Sequence, residues 1–162
     1  GEFAISRHPD EVLSTVLGSC VAVCLHDPFV RVGGMNHFLL PSRSGTASTD
    51  IRFGAHAMEL LINGLLKCGA WRDRLQAKVF GGSAMSATLS DIGQANITFA
   101  RQFLADDGIP IVSESLGGRA ARRVKYWPAS GRAQLLTVPN SPDITPMPNI
   151  MRPKNADAVT LF

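Results

Sequence analysis

Five consecutive apolar residues, Val21-Ala22-Val23-Cys24-Leu25, constrain the fold of this chain more than any other stretch. A strand with one wet face alternates apolar and polar side chains with period two, and this run does not. It reads as a strand buried on both faces, which requires covering layers on either side. The run is entered through Leu17-Gly18-Ser19-Cys20, small-residue turn chemistry that sets a thiol where a tight loop meets a strand. Past the turn at Asp27-Pro28 lies a second run, Gly33-Gly34-Met35-Asn36-His37-Phe38-Leu39-Leu40-Pro41. It puts a histidine on a strand predicted to lie beside the first. A cysteine and an imidazole on neighbouring strands are the minimum equipment of a thiol nucleophile with its base. A protonated imidazole beside the thiol would lower its pKa.

The remaining pattern is α+β. Phe3-Ala4-Ile5 and Val12–Leu17 predict strands, and Ala77-Lys78-Val79-Phe80 another that runs into the turn Gly81-Gly82-Ser83. Ser42–Asp50 is small and polar and reads as a loop, with Thr49 or Asp50 capping a helix. Met58, Leu61, Ile62, Leu65 and Leu66 fall at i, i+3, i+4, i+7 and i+8, one apolar helical face that Gly69 ends. Asp91 is placed to cap a second helix with Ile92, Ala95, Phe99 and Phe103 on its face and Gly108 at its end. Ile109-Pro110-Ile111-Val112 predicts an edge strand, since proline donates no ladder hydrogen bond. Val124–Trp127 and Gln134–Val138 flank Pro128-Ala129-Ser130-Gly131 as a hairpin. These elements predict a sandwich of mixed, largely antiparallel sheets with two long helices on one side. From Pro139 the prolines at 139, 142, 146, 148 and 153 exclude a continuing helix or sheet. The reading is a domain over 1–138 and a Pro-rich C-terminal tail over 139–162.

Several function classes drop out. A net charge of +3 is too mild for a nucleic-acid protein, and no apolar run nears the ~20 residues of a membrane span. Three cysteines, an odd number without framework spacing, predict free thiols in a reducing cytoplasm, and no secretory signal opens the sequence. Cys20, Cys24 and His26 or His37 have zinc-like ligand types. Residues 20 and 24 of one strand, however, stand more than ~10 Å apart, too far to share one tetrahedral ion. Gly81-Gly82 fits neither phosphate-binding glycine motif and reads as a turn needing positive φ. His8 and His26 read as solvated turn and rim residues, Cys24 and Cys68 as small apolar side chains. The basic run Arg119, Arg122, Arg123 and Lys125 reads as a solvated strand edge, and secondarily as a cationic rim.

Leu17–Val23 and Gly34–Pro41 together resemble the CheD family, the chemoreceptor glutamine deamidases of bacterial chemotaxis. The resemblance continues through Arg52-Phe53-Gly54, Ala57–Asn63 and Lys78–Gly82. It extends to Ile92-Gly93 with Asn96, Gly108-Ile109, and Gly117-Gly118 with Arg122-Arg123-Val124. It spans Gly1 to about Val138 and leaves the tail outside. It implies a three-layer α/β/β sandwich, similar to the catalytic domain of cytotoxic necrotizing factor toxins. It maps the family's nucleophile onto Cys20, its histidine onto His37, and its threonine onto Thr15, with Ser14 as the alternative third member. Ser19 and Asn36 are the candidates for oxyanion support, together with the backbone N–H groups of the turn. The implied activity hydrolyses side-chain amides of methyl-accepting chemotaxis receptors to glutamate through a cysteine thioester, with glutamate methyl esters as a second substrate. It calls for no metal or organic cofactor. The alternative is a non-catalytic regulatory module that binds a CheC-type phosphatase. A papain-type protease is disfavoured by the missing local signature and the short chain.

Overall fold

The computed structural model describes residues 2–40, 47–85 and 87–138. Its elements in chain order are β1 (Glu2–Ser6), β2 (Leu13–Leu17), β3 (Val21–Asp27), β4 (Val32–Phe38), α1 (Ala47–Lys67), β5 (Gln76–Gly81), α2 (Ala87–Asp106), β6 (Ile111–Leu116), β7 (Ala121–Trp127) and β8 (Arg132–Val138), with a short 3-10 turn at Arg72–Arg74 before β5. The strands form one sheet of order β1-β4-β3-β5-β6 and a second of order β2-β7-β8. All pairings are antiparallel except β5 with β6.

The unbroken apolar run is β3, at the centre of the larger sheet, and every position in it except His26 is buried. Its two faces enter two different cores. Val21, Val23 and Leu25 pack with Met58, Leu61, Ile62 and Leu65 of α1 and with Ile97, Ala100 and Leu104 of α2. Cys20, Ala22 and Cys24 pack with Leu13 and Leu17 of β2, Val124 and Tyr126 of β7, and Ala133 of β8. The layers are therefore helices, large sheet and small sheet, the α/β/β sandwich the resemblance implies. Fully burying an aliphatic side chain of this size stabilises by about 1.5–3 kcal/mol. The four fully buried side chains of α1 therefore weigh heavily in holding that helix on the sheet.

Local chemistry sets the ends. Gly69 takes φ +92 after α1, and the Ala70 N–H donates to Leu65 O at 3.1 Å across the closing turn. Hydrogen bonding from the Asp27 carboxylate organises the β3–β4 turn: Oδ1 accepts from the Phe29 N–H at 2.9 Å, while Oδ2 accepts from Trp71 N–H at 3.0 Å.

The helix starts differ from the capping assignment. α1 begins at Ala47, so Thr49 and Asp50 lie inside its first turn, and the Ser42–Asp50 loop is helical from residue 47. α2 begins at Ala87 and Asp91 sits one turn in, exposed. Ser, Thr and Asp recur across both boundaries, and composition alone does not choose among them. The face of α2 is also rotated. The buried stripe is Gly93, Asn96, Ile97, Ala100 and Leu104, while Ala95 is exposed and Phe99 and Phe103 are half-buried. Phe99 makes an edge-on contact with Phe38 at 5.6 Å between centroids. β6 is the predicted edge strand, but it starts after Pro110 and runs on to Leu116. The 139–162 tail and the 42–46 part of the loop lie outside the described residues.

Candidate active site

The small sheet supplies the first member of the site. In β2, Leu13, Thr15 and Leu17 turn inward while Ser14 and Val16 are half-exposed, the period-two alternation of a strand covered on one face. Thr15 is thus the hydroxyl that faces the large sheet, and its Oγ1 lies 3.2 Å from His37 Nδ1. Ser14 points to the other face and does not join them.

His37 is on β4 directly opposite Ala22 of β3. Partners in an antiparallel ladder project to the same face, so His37 shares the face of Ala22 and of the inter-sheet cluster that contains Cys20. Cys20 is two residues before Ala22, in the turn that enters β3. Nδ1 is engaged by Thr15, which leaves Nε2 as the other nitrogen of the ring.

The turn that carries the sulfur is tied at three successive carbonyls. Gly18 O accepts from Ser83 N–H at 2.7 Å, Ser19 O from Asn96 Nδ2 at 3.2 Å, and Cys20 O from Gly82 N–H at 2.8 Å. The glycines of the Gly81-Gly82-Ser83 turn are required by the backbone. Gly81 sits at φ +111, and a Cβ there would fall 2.1 Å from Cys20 O. Ser83 Oγ donates to Ala120 O at 2.8 Å, and Arg122 Nη1 donates to Ser83 Oγ at 2.7 Å. Arg122 is therefore part of the scaffold under the turn, whereas Arg119 and Arg123 of the same basic run are exposed.

Burial sets the protonation states. It pushes the Cys20 thiol above its usual 9.0, partly offset by the residue's own N–H, which favours the thiolate. It lowers the His37 imidazole below 6.5, with the Glu2 carboxylate pulling the other way. Both shifts favour the neutral forms, a thiol at residue 20 and an unprotonated imidazole at residue 37. Cys20 keeps 7% of its surface exposed against 1% for Cys24, so the first sulfur is deep but not sealed.

The other singled-out residues lie elsewhere. Asn36 is adjacent to His37 and so faces the helices. Its Oδ1 accepts from Val23 N–H at 3.1 Å and its Nδ2 donates to Ala57 O at 3.2 Å, which places it in the frame behind the site rather than at the sulfur. Ser19 is buried in the turn itself. His26 lies at the far end of β3 with Nε2 3.3 Å from Ala129 O, and His8 is exposed. Among the described residues no three His, Cys, Asp or Glu side chains are grouped to hold a metal ion, and no helix is long and apolar enough to cross a membrane. Asn96, named in the family resemblance, and Ser83, named in its turn, were given no role at the site by the residue pattern. The one signal for Asn96 was a polar side chain on a helix stripe where every neighbour is apolar or glycine.

Comparison with known proteins identifies the family. Residues 39–137 match the family model described as CheD chemotactic sensory transduction. That match begins just after His37, but relatives align over the earlier strands as well. The chain is 52% identical to the "Probable chemoreceptor glutamine deamidase CheD" of Caulobacter sp. over 168 residues, covering 100% of this chain and 89% of that one. A protein of the same printed name from Rhizobium rhizogenes is 60% identical, covering 83% of this chain and 74% of its own. "Probable chemoreceptor glutamine deamidase CheD 1" of Ruegeria sp. is 49% identical, covering 100% and 92%. With half or more of its residues matched by the family model and its whole length by such relatives, the chain belongs to the CheD family.

Proposed function

We propose that this chain is a protein-glutamine deamidase that converts glutamine side chains of methyl-accepting chemotaxis receptors to glutamate, with Cys20 as nucleophile, His37 as acid–base group and Thr15 as the residue that orients it. The observation that carries the reading is the Thr15 Oγ1–His37 Nδ1 contact of 3.2 Å on the face that also bears Cys20. The names of the relatives supply the substrate class.

The chemistry follows from the resting states. With the His37 Nδ1–H donating to Thr15 Oγ1, the lone pair lies on Nε2. Nε2 takes the Cys20 proton as Sγ bonds to the carboxamide carbon, and the C=O electron pair moves onto oxygen. Backbone N–H groups of the Ser19-Cys20 turn stabilise that oxyanion. The intermediate collapses, the C–N bond breaks, and the imidazolium proton leaves with ammonia, giving a γ-glutamyl thioester. Water then adds with its proton going to Nε2. Collapse breaks the C–S bond, sulfur recovers the proton, and glutamate is released. A glutamate methyl ester meets the same steps with methanol as leaving group.

The domain is proposed to span 1–138 and the Pro-rich tail 139–162, on the change of composition at Pro139. Three free cysteines suit a reducing compartment, and the cytoplasm is the proposed one. A CheC-type phosphatase is proposed as a second partner on the resemblance alone. The test is deamidation of a receptor cytoplasmic fragment followed by mass spectrometry. Wild type converts specific glutamines, and Cys20→Ala and His37→Ala do not; conversion by Cys20→Ala at the wild-type rate overturns the proposal.

A further inference from the structure

We propose that Asn96 is a positioning residue for the cysteine nucleophile: its carboxamide fixes the Ser19–Cys20 peptide so that the Cys20 N–H faces the reacting centre as an oxyanion donor. The inference rests on the deamidase reading and adds to it a residue from the helical layer.

Asn96 is fully buried in the middle of α2 and all its bonds go to backbone. Oδ1 accepts from the Leu40 N–H at 2.8 Å, two residues beyond the end of β4, the strand of His37. Nδ2 donates to Ile92 O at 2.8 Å on its own helix and to Ser19 O at 3.2 Å in the nucleophile turn. One planar amide thus ties the base-bearing strand, the nucleophile-bearing turn and a helix together. Burying a primary amide costs free energy unless its hydrogen-bonding groups are met. An aliphatic residue at this place in the stripe would leave the Leu40 N–H and the Ser19 carbonyl without the bonds that Asn96 makes.

The consequence for chemistry comes from the peptide plane. Ser19 C=O and Cys20 N–H belong to one trans peptide unit, so they point in opposite directions. Holding the carbonyl toward α2 turns the N–H away from α2. No hydrogen bond joins the Cys20 N–H to another described residue. That N–H lies near enough to its own sulfur to favour the thiolate. When an acyl carbon is bonded to that sulfur, its oxyanion lies within the same reach. The flanking carbonyls of Gly18 and Cys20 are bound by Ser83 and Gly82, and Gly93 of α2 packs so close that a Cβ on it would fall 2.6 Å from Gly82 O. The turn has little freedom to rotate except through loss of the Asn96 bond.

The test separates positioning from stability. Asn96→Asp keeps the acceptor for Leu40 and deletes the donor to Ser19. It is assayed on a receptor cytoplasmic fragment, beside wild type and Cys20→Ala. The expected result is kcat lowered about 10²-fold, the size of losing one oxyanion donor, with KM within about twofold, a change confined to the transition state. Alkylation of Cys20 by iodoacetamide, which needs no oxyanion donor, keeps its rate and pH profile. A glutamate γ-semialdehyde peptide, which adds to the sulfur as a tetrahedral thiohemiacetal with its oxygen in the oxyanion position, loses affinity in step with kcat. Wild-type kcat in Asn96→Asp, or alkylation lost in step with it, overturns the inference. Should the aspartate not fold, Asn96→Ser is read in the same way. In the wild-type chain, Asn96 side-chain amide protons that exchange as fast as a free amide also overturn it. An inactive wild type, or an active Cys20→Ala, brings down the deamidase reading instead.

Discussion

Thr15 and His37 belong to different sheets. The hydroxyl is carried by β2 of the three-stranded sheet and the imidazole by β4 of the five-stranded one, and their 3.2 Å contact crosses the sandwich. The pair exists only when the two sheets are packed. Thr15→Val, which keeps shape and removes the hydroxyl, is expected to lower kcat for deamidation by about 10²-fold, the scale of a misoriented catalytic group. Thr15→Ser retains most of the activity and Ser14→Ala all of it. Steady-state kinetics on a receptor fragment decides, and a larger loss from Ser14→Ala than from Thr15→Val would reverse the assignment.

The opposed shifts of Cys20 and His37 fix a pH profile. His37 must be neutral to take the thiol proton, and burial lowers its pKa, so the acid limb of kcat/KM falls below 6.5. The thiol is raised above 9.0, so alkylation of Cys20 in a His37→Gln variant accelerates only beyond that value. Stability has a matching sign. Below 6.5 the unfolded chain binds a proton at residue 37 that the folded chain resists, so stability is lost as pH falls through that window. Urea midpoints of wild type drop there more steeply than those of His37→Gln. An acid limb above 6.5 would contradict the neutral-pair description.

Cys24 is chemically silent. It is fully enclosed between the sheets and burial raises its thiol far above the ordinary range. Cys24→Ala keeps kcat within about twofold and costs about 1 kcal/mol of stability, a typical core substitution. Thiol labelling of the native protein followed by peptide mapping finds Cys20 modified well before Cys24.

Gly81→Ala is expected to cost about 2–3 kcal/mol, combining a strained φ with a direct clash on Cys20 O. Gly108 has a similar positive φ but open space around it, so Gly108→Ala costs only about 1–2 kcal/mol. Denaturation midpoints compare the two. Deamidation falls in Gly81→Ala even where the protein remains folded, because the displaced carbonyl belongs to the nucleophile turn.

Much of this architecture was legible in the chain because its signals are local. The non-alternating run at 21–25 announced a central strand, and the stripe from Met58 to Leu65 announced the face of α1. The glycines at 69, 81 and 108 marked turns that do carry positive φ. Thr15 and Ser14 were inseparable in sequence, since either can be the inward residue of a strand whose register is set by a partner over 100 residues away, Val124. The choice of Asn36 as support failed to foresee the pleat, which sends neighbours to opposite faces. Asn96 was hidden for a different reason. Its partners, Ser19, Leu40 and Ile92, are backbone groups, and a side chain that reads only backbone leaves no pairing for composition to reveal.

The depth of Cys20 works as a ruler. With 7% of the residue exposed, Cys20 lies below the surface while remaining open to it. With Cys20 as the proposed nucleophile, a slender side chain has to come down to it, and glutamine carries its amide one methylene further from the main chain than asparagine does. Selectivity between the two amides is then expected to follow reach and not polarity, and deamidation of paired glutamine and asparagine peptides measures it.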